Sequence, residues 1–496
     1  MENMTETDHP KVVDPRGASG TPSASGSGPR LSIAVVGSGI SGMSCAWLLS
    51  QRHDVTVLET QPRLGGHTNT QEVPREDQTR TPVDTGFIVY NTWNYPNLVA
   101  LFDHLGVKTQ ASDMSFAVSL DNGRLEYSGS GFSGLLAQPA NLLRPRFWAM
   151  TRDILRFFKQ AETVLGNPEA EAEPLGAYLR RNGYSKAFMD DHLLPMGAAI
   201  WSTPTLEMED YPTGAFVRFF SNHGLLNLKD RPVWRTVTGG SREYARLLTA
   251  AYADRIELGQ GVRRIRRLPD GVEISDADGK IRRFDHVVIA SHADEALAML
   301  EKPSREEERL LGAFAYQANE AWLHSDPNQM PKRKKAWASW NYLGRAEADG
   351  GRAVALSYWM NLLQSLPSDQ DIFVTLNPFE EPDPAKVYGR FQYTHPMFDG
   401  AAVAARRDLW DLQGVQRTWF CGSYFGDGFH EDGLQSGLAV AEDLGGLLRP
   451  WSVQGQDGRI ARKPLTAEAR AHLIASATAS GATSPGSPSR VPEAAE

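Results

Sequence analysis

Apolar runs alternate with amphipathic segments near the beginning of the chain. LSIAVV, residues 31–36, is a continuous apolar and β-branched run, which predicts a buried strand. A helical pattern follows in GMSCAWLLSQ, and DVTVLE then predicts a second strand. A strand, a helix and a second strand in this order indicate a βαβ unit with parallel strands, and therefore an α/β fold.

The turn after the first strand has the spacing of a phosphate-binding loop. Its residues follow the pattern G-x-G-x-x-G: Gly37, Ser38, Gly39, Ile40, Ser41 and Gly42. The first glycine permits a tight turn, the second lets a pyrophosphate approach the backbone, and the third lets the helix pack on the strand. The helix N-terminus offers free N–H groups to phosphates. Glu59 ends the second strand, where a carboxylate accepts hydrogen bonds from ribose hydroxyls and disfavours NADP.

A second glycine pair indicates a longer cofactor than NAD. Gly65 and Gly66 follow in ETQPRLGGHTNT, and this pair lets the chain pass close to the pyrophosphate and ribityl chain of FAD. With it the sequence resembles the flavin amine oxidase and carotenoid desaturase superfamily. The resemblance assigns Arg63 to the phosphates and places His67 where an arginine often stands. We therefore predict FAD as the cofactor, with reduced charge pairing to its phosphates.

The remaining patterns divide the chain into interleaved blocks. Residues 91–232 are mostly helical, and residues 301–417 contain strand-like runs such as AVALSYWM. We predict a Rossmann-like FAD-binding domain of the amine-oxidase type, built from residues 31–90, 233–300 and 418–448. The two other blocks then form an interleaved α+β substrate domain.

Two later segments resemble the rest of the superfamily's FAD site. Val262 matches a valine that contacts the adenine through its backbone. TWFCGSYFGDGFHEDGLQSG resembles the C-terminal flavin motif, with a strand that ends at Gly422 and a helix that starts near Gly433. The resemblance implies flavin contacts from Gly422, Ser423, Gly433, Leu434 and Gln435. A carboxylate often binds the ribityl chain where Ser423 stands, and Asp427 is a candidate replacement.

Further stretches narrow the resemblance to one branch. DTGFIVYN, TGGSREY, ASWNYL and GFHEDGLQSG are similar to predicted NAD/FAD-binding oxidoreductases associated with cyclopropane-fatty-acid-synthase-like enzymes. This resemblance implies that a lipid-like, modified fatty-acyl substrate is oxidised by hydride transfer to flavin N5. Two alternatives stay open: an amine oxidase for a small amine, with Lys335 as a candidate for the usual lysine, and a redox-neutral flavin protein such as an isomerase.

The source of electrons follows from the number of dinucleotide motifs. A flavin reductase for NADH or NADPH needs a second glycine turn of the same kind. Gly239 and Gly240 are followed by SREY, which lacks the third glycine. We therefore expect electrons to enter from the organic substrate.

Polar residues near the predicted flavin are the catalytic candidates. Tyr90 follows the second glycine pair, and His430 and Glu431 precede the C-terminal helix. Oxidation by hydride transfer often needs a nearby base, so we predict that His430, with Glu431 and Tyr90, handles protons or binds substrate. The alternative is that His430 and Glu431 fix their loop through hydrogen bonds to the backbone.

Composition and charge exclude several classes of protein. The net charge of −9 provides no basic field for nucleic acid. The two cysteines, Cys45 and Cys421, cannot build a disulfide framework, and no Cys/His cluster predicts a metal site. These features favour a cytoplasmic protein with a small-molecule or lipid substrate; the oligomeric state stays open.

Three remaining segments carry their own expectations. Residues 141–160 carry five basic side chains among apolar ones: Arg144, Arg146, Arg152, Arg156 and Lys159. This pattern is typical of a helix at a membrane surface and equally of a domain helix above a core.

Residues 1–30 are rich in Gly, Ser and Pro, which predicts a disordered tail, and residues 449–496 are predicted to be mostly disordered.

Overall fold

Two sheets, one parallel and one mixed, organise the chain. The computed structural model describes residues 30–129, 131–201, 207–227, 231–347 and 352–473. In these ranges the strands are β1 (Ser32–Val36), β2 (Asp54–Glu59), β3 (Thr70–Pro74), β4 (Arg80–Asp84), β5 (Tyr90–Asn91), β6 (Thr109–Ala111), β7 (Phe116–Leu120), β8 (Leu125–Ser128), β9 (Trp234–Val237), β10 (Ile256–Leu258), β11 (Val262–Leu268), β12 (Gly271–Asp276), β13 (Ile281–Phe284), β14 (His286–Ile289), β15 (Tyr316–His324), β16 (Trp340–Ala346), β17 (Arg352–Trp359), β18 (Phe373–Leu376), β19 (Val387–Pro396) and β20 (Thr418–Phe420). The α-helices are α1 (Ile40–Ser50), α2 (Pro96–Leu105), α3 (Gly131–Leu135), α4 (Pro145–Gln160), α5 (Pro168–Ala172), α6 (Leu175–Arg181), α7 (Lys186–Phe188), α8 (Leu194–Trp201), α9 (Thr213–Asn222), α10 (Arg242–Thr249), α11 (Ala293–Met299), α12 (Arg305–Leu311), α13 (Met360–Leu363), α14 (Gly400–Arg406) and α15 (His430–Gly445).

A five-stranded parallel sheet, in the order β10-β2-β1-β14-β20, takes strands from separated parts of the chain. β1 lies in the middle and pairs in parallel with β2 and β14. Four of its five residues are fully buried, as its apolar sequence predicts for a strand covered on both faces. Because the strands are parallel, their carboxyl ends meet at one edge, which is where α/β sheets bind ligands.

The helices α1 and α15 lie side by side and run in the same direction. Ile40 faces Gly433 near their N-termini, and Leu49 faces Gly445 near their C-terminal ends. An added Cβ at Gly433 would lie 2.9 Å from Cγ2 of Ile40, and one at Gly437 would collide with the backbone of α1. Small residues on α15 therefore allow a close contact that brings both helix N-termini to the same edge of the sheet.

A seven-stranded mixed sheet forms the second part of the molecule, in the order β19-β15-β18-β17-β16-β7-β8. Its strands pair antiparallel except β16 and β7, which are parallel. This sheet and helices such as α4, α8 and α9 share a second hydrophobic core. No helix in the described ranges has the length and apolar character needed to cross a membrane.

Three helices from the predicted substrate blocks pack instead in the core of the parallel sheet. α2 lies in the predicted block 91–232, and α12 and α14 lie in the block 301–417. Buried side chains of all three helices belong to the hydrophobic core around the parallel sheet, which we call the first core. The amphipathic pattern of a helix shows that one face is buried, but it does not show which core covers that face.

The segment after α15 corrects part of the prediction that residues 449–496 are mostly disordered. As far as residue 473 this segment packs against the first core. Trp451 stacks on Trp47 with ring centroids 5.9 Å apart. Arg449 is buried and pairs with Glu442 at 2.7 Å and with Asp457 at 2.8 Å. This segment is held by charge pairs more than by a repeat of apolar residues. Its polar composition therefore resembled that of a disordered tail. The predictions for residues 1–29 and 474–496 lie outside the described residues.

We expect Arg449→Ala to lower the free energy of unfolding by about 2 kcal/mol, because the buried Glu442 carboxylate then keeps only Arg462, at 2.8 Å, as a charge partner. The matched control is Lys463→Ala. This lysine pairs with the half-exposed Asp408 and Asp411, so its loss should cost about 1 kcal/mol or less. Urea unfolding followed by tryptophan fluorescence measures both. Equal effects of the two substitutions would show that the segment adds no stability through its buried pair.

Candidate active site

A cavity of about 1140 Å³ lies between the two sheets. One end is lined by the loops that follow β1, β2 and β14, at the carboxyl edge of the parallel sheet. The other end is lined by residues of the mixed sheet and of α8 and α9. The cavity therefore joins a nucleotide-type cradle to a chamber in the second part of the molecule.

The glycine loop forms the floor of the cradle. Gly37 has a φ of +101°, and a Cβ there would lie 2.7 Å from the carbonyl oxygen of Ala290. Gly39 lines the cavity, and a Cβ added to it would meet no atom within 4 Å. The first turn of α1 carries no acidic residue and no side-chain cap, so its N–H groups stay available to an anion. These features fit a pyrophosphate above Gly39.

A hydrogen-bond network joins the two glycine motifs. Oε2 of Glu59 accepts hydrogen bonds from the backbone N–H of Ser38 at 2.8 Å and from its hydroxyl at 2.6 Å. The same hydroxyl accepts a hydrogen bond from the N–H of Gly65 at 3.1 Å. Gly66 lies against Gly39, where an added Cβ would stand 3.3 Å from the Gly39 Cα. Ser38 thus orients the Glu59 carboxylate, a role that the sequence motif did not indicate.

Most of the predicted cofactor residues line this cavity. They are Gly37, Ser38, Gly39, Ile40, Ser41, Glu59, Arg63, Gly65, Gly66, His67, Val262, Gly422 and Ser423. Gly42 does not, because it packs against Gly37 and the side chain of Ala290. Asp427, the candidate replacement for the ribityl carboxylate, pairs with Arg406 and is also not among the lining residues.

The helix of the C-terminal motif faces the cavity with different residues from those predicted, whereas Gly422 and Ser423 line it as predicted. Gly433, Leu434 and Gln435 are buried and are not among the lining residues. Gly433 lies in the contact with α1, and Gln435 donates a hydrogen bond to Glu431 at 3.0 Å. The helix begins at His430 rather than near Gly433. Its N-terminal end therefore presents other residues to the cavity: Gly428, Phe429 and His430.

Three histidines from distant segments form one wall of the cavity. The His67 ring lies 5.2 Å from that of His395 and 6.5 Å from that of His292. Burial, and then the neighbouring imidazoles, hold the pKa of His67 well below its usual value, and burial lowers the pKa of His395 to about 4. Within the described residues, no group of His, Cys, Asp or Glu is arranged to hold a metal ion. No motif pointed to His395, because only the fold brings its strand here.

His430 occupies a defined position in the wall. Its ring stacks on Phe87 with centroids 3.8 Å apart and an interplanar angle of 9°. Nε2 shares a hydrogen bond of 2.6 Å with the hydroxyl of Tyr244, which also bonds the Thr68 hydroxyl. Burial lowers the pKa of His430 to about 3, so the ring is neutral at pH 7 and one of its nitrogens can accept a hydrogen bond. Tyr244, on α10, was missed because a lone tyrosine in a helix has no signature.

The structure corrects the catalytic assignments of Glu431 and Tyr90, since neither lines the cavity. Both Glu431 oxygens serve the N-terminus of α2: Oε1 accepts from Asn97 N–H at 3.0 Å, and Oε2 accepts from Leu98 N–H at 3.0 Å. Tyr90 packs edge-on against Phe102, with ring centroids 5.3 Å apart. Both residues are buried and stabilise the fold around the site.

The end of the cavity farther from the glycine loop is apolar. Its walls are Ile88, Val89, Met114, Phe116, Met196, Ile200, Phe219, Leu225, Trp340, Tyr358, Phe391 and Phe429. The only carboxylates among the described lining residues are Glu59, at the end of β2, and Glu295, on α11. Lysine is absent from this lining, and Lys335 is exposed elsewhere. The chamber thus suits an uncharged chain better than an ammonium group.

The open cradle at Gly39, the uncapped N-terminus of α1 and the oriented Glu59 fit FAD, and the fold and site define a flavin-dependent oxidoreductase. The chain belongs to the family described as flavin containing amine oxidoreductase, whose sequence model matches residues 40–445. The match covers both parts of the molecule.

Several solved structures share this fold at low sequence identity. Putrescine oxidase bound to putrescine has 16% identity and a TM-score of 0.59, covering 84% of this chain and 98% of its own. Cyclohexylamine oxidase from Brevibacterium oxydans IH-35A has 16% identity and a TM-score of 0.56, covering 84% and 100%. A CLA-producing fatty acid isomerase from P. acnes has 16% identity and a TM-score of 0.56, covering 83% and 97%. No curated protein sequence matches the chain.

We expect Gly39→Val to abolish FAD retention while the protein still folds. The side chain would project into the open cradle, and the extended backbone at Gly39 (φ −63°, ψ 177°) accepts a β-branched residue. Gly400→Val is the matched control, because a Cβ there also meets no atom within 4 Å but lies outside the cavity. Flavin absorbance per mole of purified protein measures retention, and circular dichroism checks folding. Full occupancy in Gly39→Val would show that the pyrophosphate does not pass this glycine.

Proposed function

We propose that this flavin-dependent enzyme oxidises a lipid-like substrate with a fatty-acyl chain. The observation that carries the proposal is the apolar chamber that continues from the cofactor cradle. Its walls combine aliphatic and aromatic side chains, such as Met196, Ile200 and Phe391. An alkyl chain loses its contact with water there, which stabilises binding by about 0.8 kcal/mol for each buried CH₂ group.

The site residues have separate roles in this reaction. The N-terminus of α1 and Glu59 hold the pyrophosphate and the ribose, and bound FAD supplies the hydride acceptor at N5. The apolar walls exclude water and orient the substrate chain. The substrate loses a hydride and a proton when it is oxidised by two electrons, and the proton leaves along the hydrogen bond between the His430 imidazole and Tyr244. Tyr244 holds that imidazole in place through the bond to Nε2.

An amine substrate is less well supported by the same cavity. The fold itself does not choose, since it is shared by putrescine oxidase and by a fatty acid isomerase. The apolar end offers no carboxylate to an ammonium group among the described lining residues. Lys335, the candidate for the lysine of amine oxidases, is exposed and is not among the lining residues.

Anaerobic mixing of the oxidised holoenzyme with candidate reductants tests the proposal. We expect a long-chain unsaturated or cyclopropane fatty acid, or its ester, to bleach the flavin. Bleaching is followed at 450 nm, roughly the usual absorbance maximum of an oxidised flavin cofactor. Putrescine and benzylamine, which carry amines on short or aromatic frames, should leave the flavin oxidised, as should NADH and NADPH. Bleaching by an amine alone would contradict the proposal, and bleaching by NADPH would move the enzyme to a reductase or monooxygenase class. If a fatty acid is converted without bleaching, a redox-neutral reaction replaces the proposed oxidation.

Adjacent substitutions separate catalysis from stability. We expect His430→Gln to slow flavin reduction by the fatty-acyl substrate about 100-fold, because the hydrogen-bonded path for the substrate proton through His430 and Tyr244 is interrupted. Glu431→Gln should leave the rate per bound flavin unchanged and lower the free energy of unfolding by about 2 kcal/mol, because it weakens the cap of α2. Stopped-flow absorbance and urea unfolding provide the two measurements. A rate loss in Glu431→Gln equal to that in His430→Gln would contradict these assignments.

A further inference from the structure

The surface beside α4 exposes large apolar side chains. Leu143 is 87% exposed, and Leu142, Trp148 and Leu155 are each close to half exposed. The Trp148 indole donates a hydrogen bond to the carbonyl oxygen of Leu142 at 2.9 Å, so the loop is tied to the helix. Single exposed apolar residues are common, but a fixed group of four on one loop and helix marks an interaction surface.

Basic side chains share this surface. In α4, Trp148, Arg152, Leu155 and Lys159 are separated by steps of three or four residues, so they form one exposed stripe along the helix. The opposite stripe, with Phe147, is buried in the second core. We call the exposed part the docking face; it consists of Leu142, Leu143, Trp148, Arg152, Leu155 and Lys159.

The exposed stripe of α4 itself contains no carboxylate. The one acidic residue of the helix, Asp153, is buried and accepts a hydrogen bond from the backbone N–H of Ser185 at 2.8 Å. Arg152 pairs with it at 3.2 Å, yet 69% of the arginine side chain stays exposed. The six residues of the docking face therefore include two cations and no carboxylate, although the whole chain has a net charge of −9.

We infer that the docking face binds the surface of a bilayer that contains anionic phospholipids. Leucine and tryptophan side chains enter the boundary between headgroups and acyl chains, while interleaved Arg and Lys side chains reach the lipid phosphates. Charge complementarity selects this partner, because apolar and basic residues alternate on one stripe and the remainder of the protein is acidic. The inference does not depend on the substrate of the enzyme.

The docking face is also connected to the cavity through the fold. α4 packs against α7 and against the π-helical turn Met189–Leu193. That turn continues directly into α8, whose residues Met196 and Ile200 line the apolar chamber. α4, the π-helical turn and α8 therefore form one packed path between the docking face and the apolar chamber.

Co-flotation of the full-length holoenzyme with vesicles tests the inference. We expect binding to vesicles of phosphatidylcholine mixed with phosphatidylglycerol, weaker binding to phosphatidylcholine alone, and a decrease with added salt. Leu143→Asp should weaken binding at least about tenfold, because a charge replaces an inserted side chain. Arg152→Glu combined with Lys159→Glu should weaken binding to the mixed vesicles at least about tenfold.

Matched controls separate the docking face from general surface effects. Ile281→Asp changes an isoleucine that is 59% exposed on β13, and Arg264→Glu with Arg266→Glu reverses two exposed charges on β11. These variants should bind vesicles as the unmodified chain does. Flavin content checks that every variant folds. Absence of vesicle binding, equal binding to both lipid mixtures, or equal losses in the control variants would each overturn the inference.

Discussion

The close parallel contact between α1 and α15 is the constraint on which the site depends. Gly433 and Gly437 let the two helices approach until the side chain of Ile40 and the backbone at Ser41 fill the space of the missing Cβ atoms. Because the helices run in the same direction, their N-termini open into one cavity. One N-terminus faces the glycine loop, and the other presents His430. The first turn of α1 carries no acidic residue, whereas that of α15 carries Glu431 and Asp432, so the free positive dipole end at the cavity is that of α1.

The same cavity combines two environments that place opposite demands on the protein. At the parallel sheet, free N–H groups and a hydrogen-bonded carboxylate suit a charged dinucleotide. In the chamber, aliphatic and aromatic walls exclude water and keep His430 neutral, since burial lowers its pKa to about 3. The boundary between the two environments lies where the segments around Phe87 and His430 meet.

Neighbouring residues in one motif have different roles because a helix turns its side chains by about 100° for each residue. His430 faces the cavity, whereas Glu431, the next residue, points to α2 and caps its N-terminus. A motif shows that both residues matter for the structure, but the direction of each side chain depends on where the helix begins. The helix was predicted to start near Gly433 but begins at His430. The cavity contacts are therefore made by Phe429 and His430.

Local spacing in the sequence was sufficient for the first βαβ unit, the glycine loop and Glu59, because each depends on residues that are close along the chain. The choice of FAD needed, in addition, the resemblance of the N- and C-terminal motifs to a known superfamily. Only the tertiary structure brought His67, His292 and His395 into one wall, joined Tyr244 to His430, and packed residues 449–473 on the first core. These contacts join segments that are far apart in sequence. Their partners are selected by packing and charge pairing, for which a single sequence carries no periodic signal.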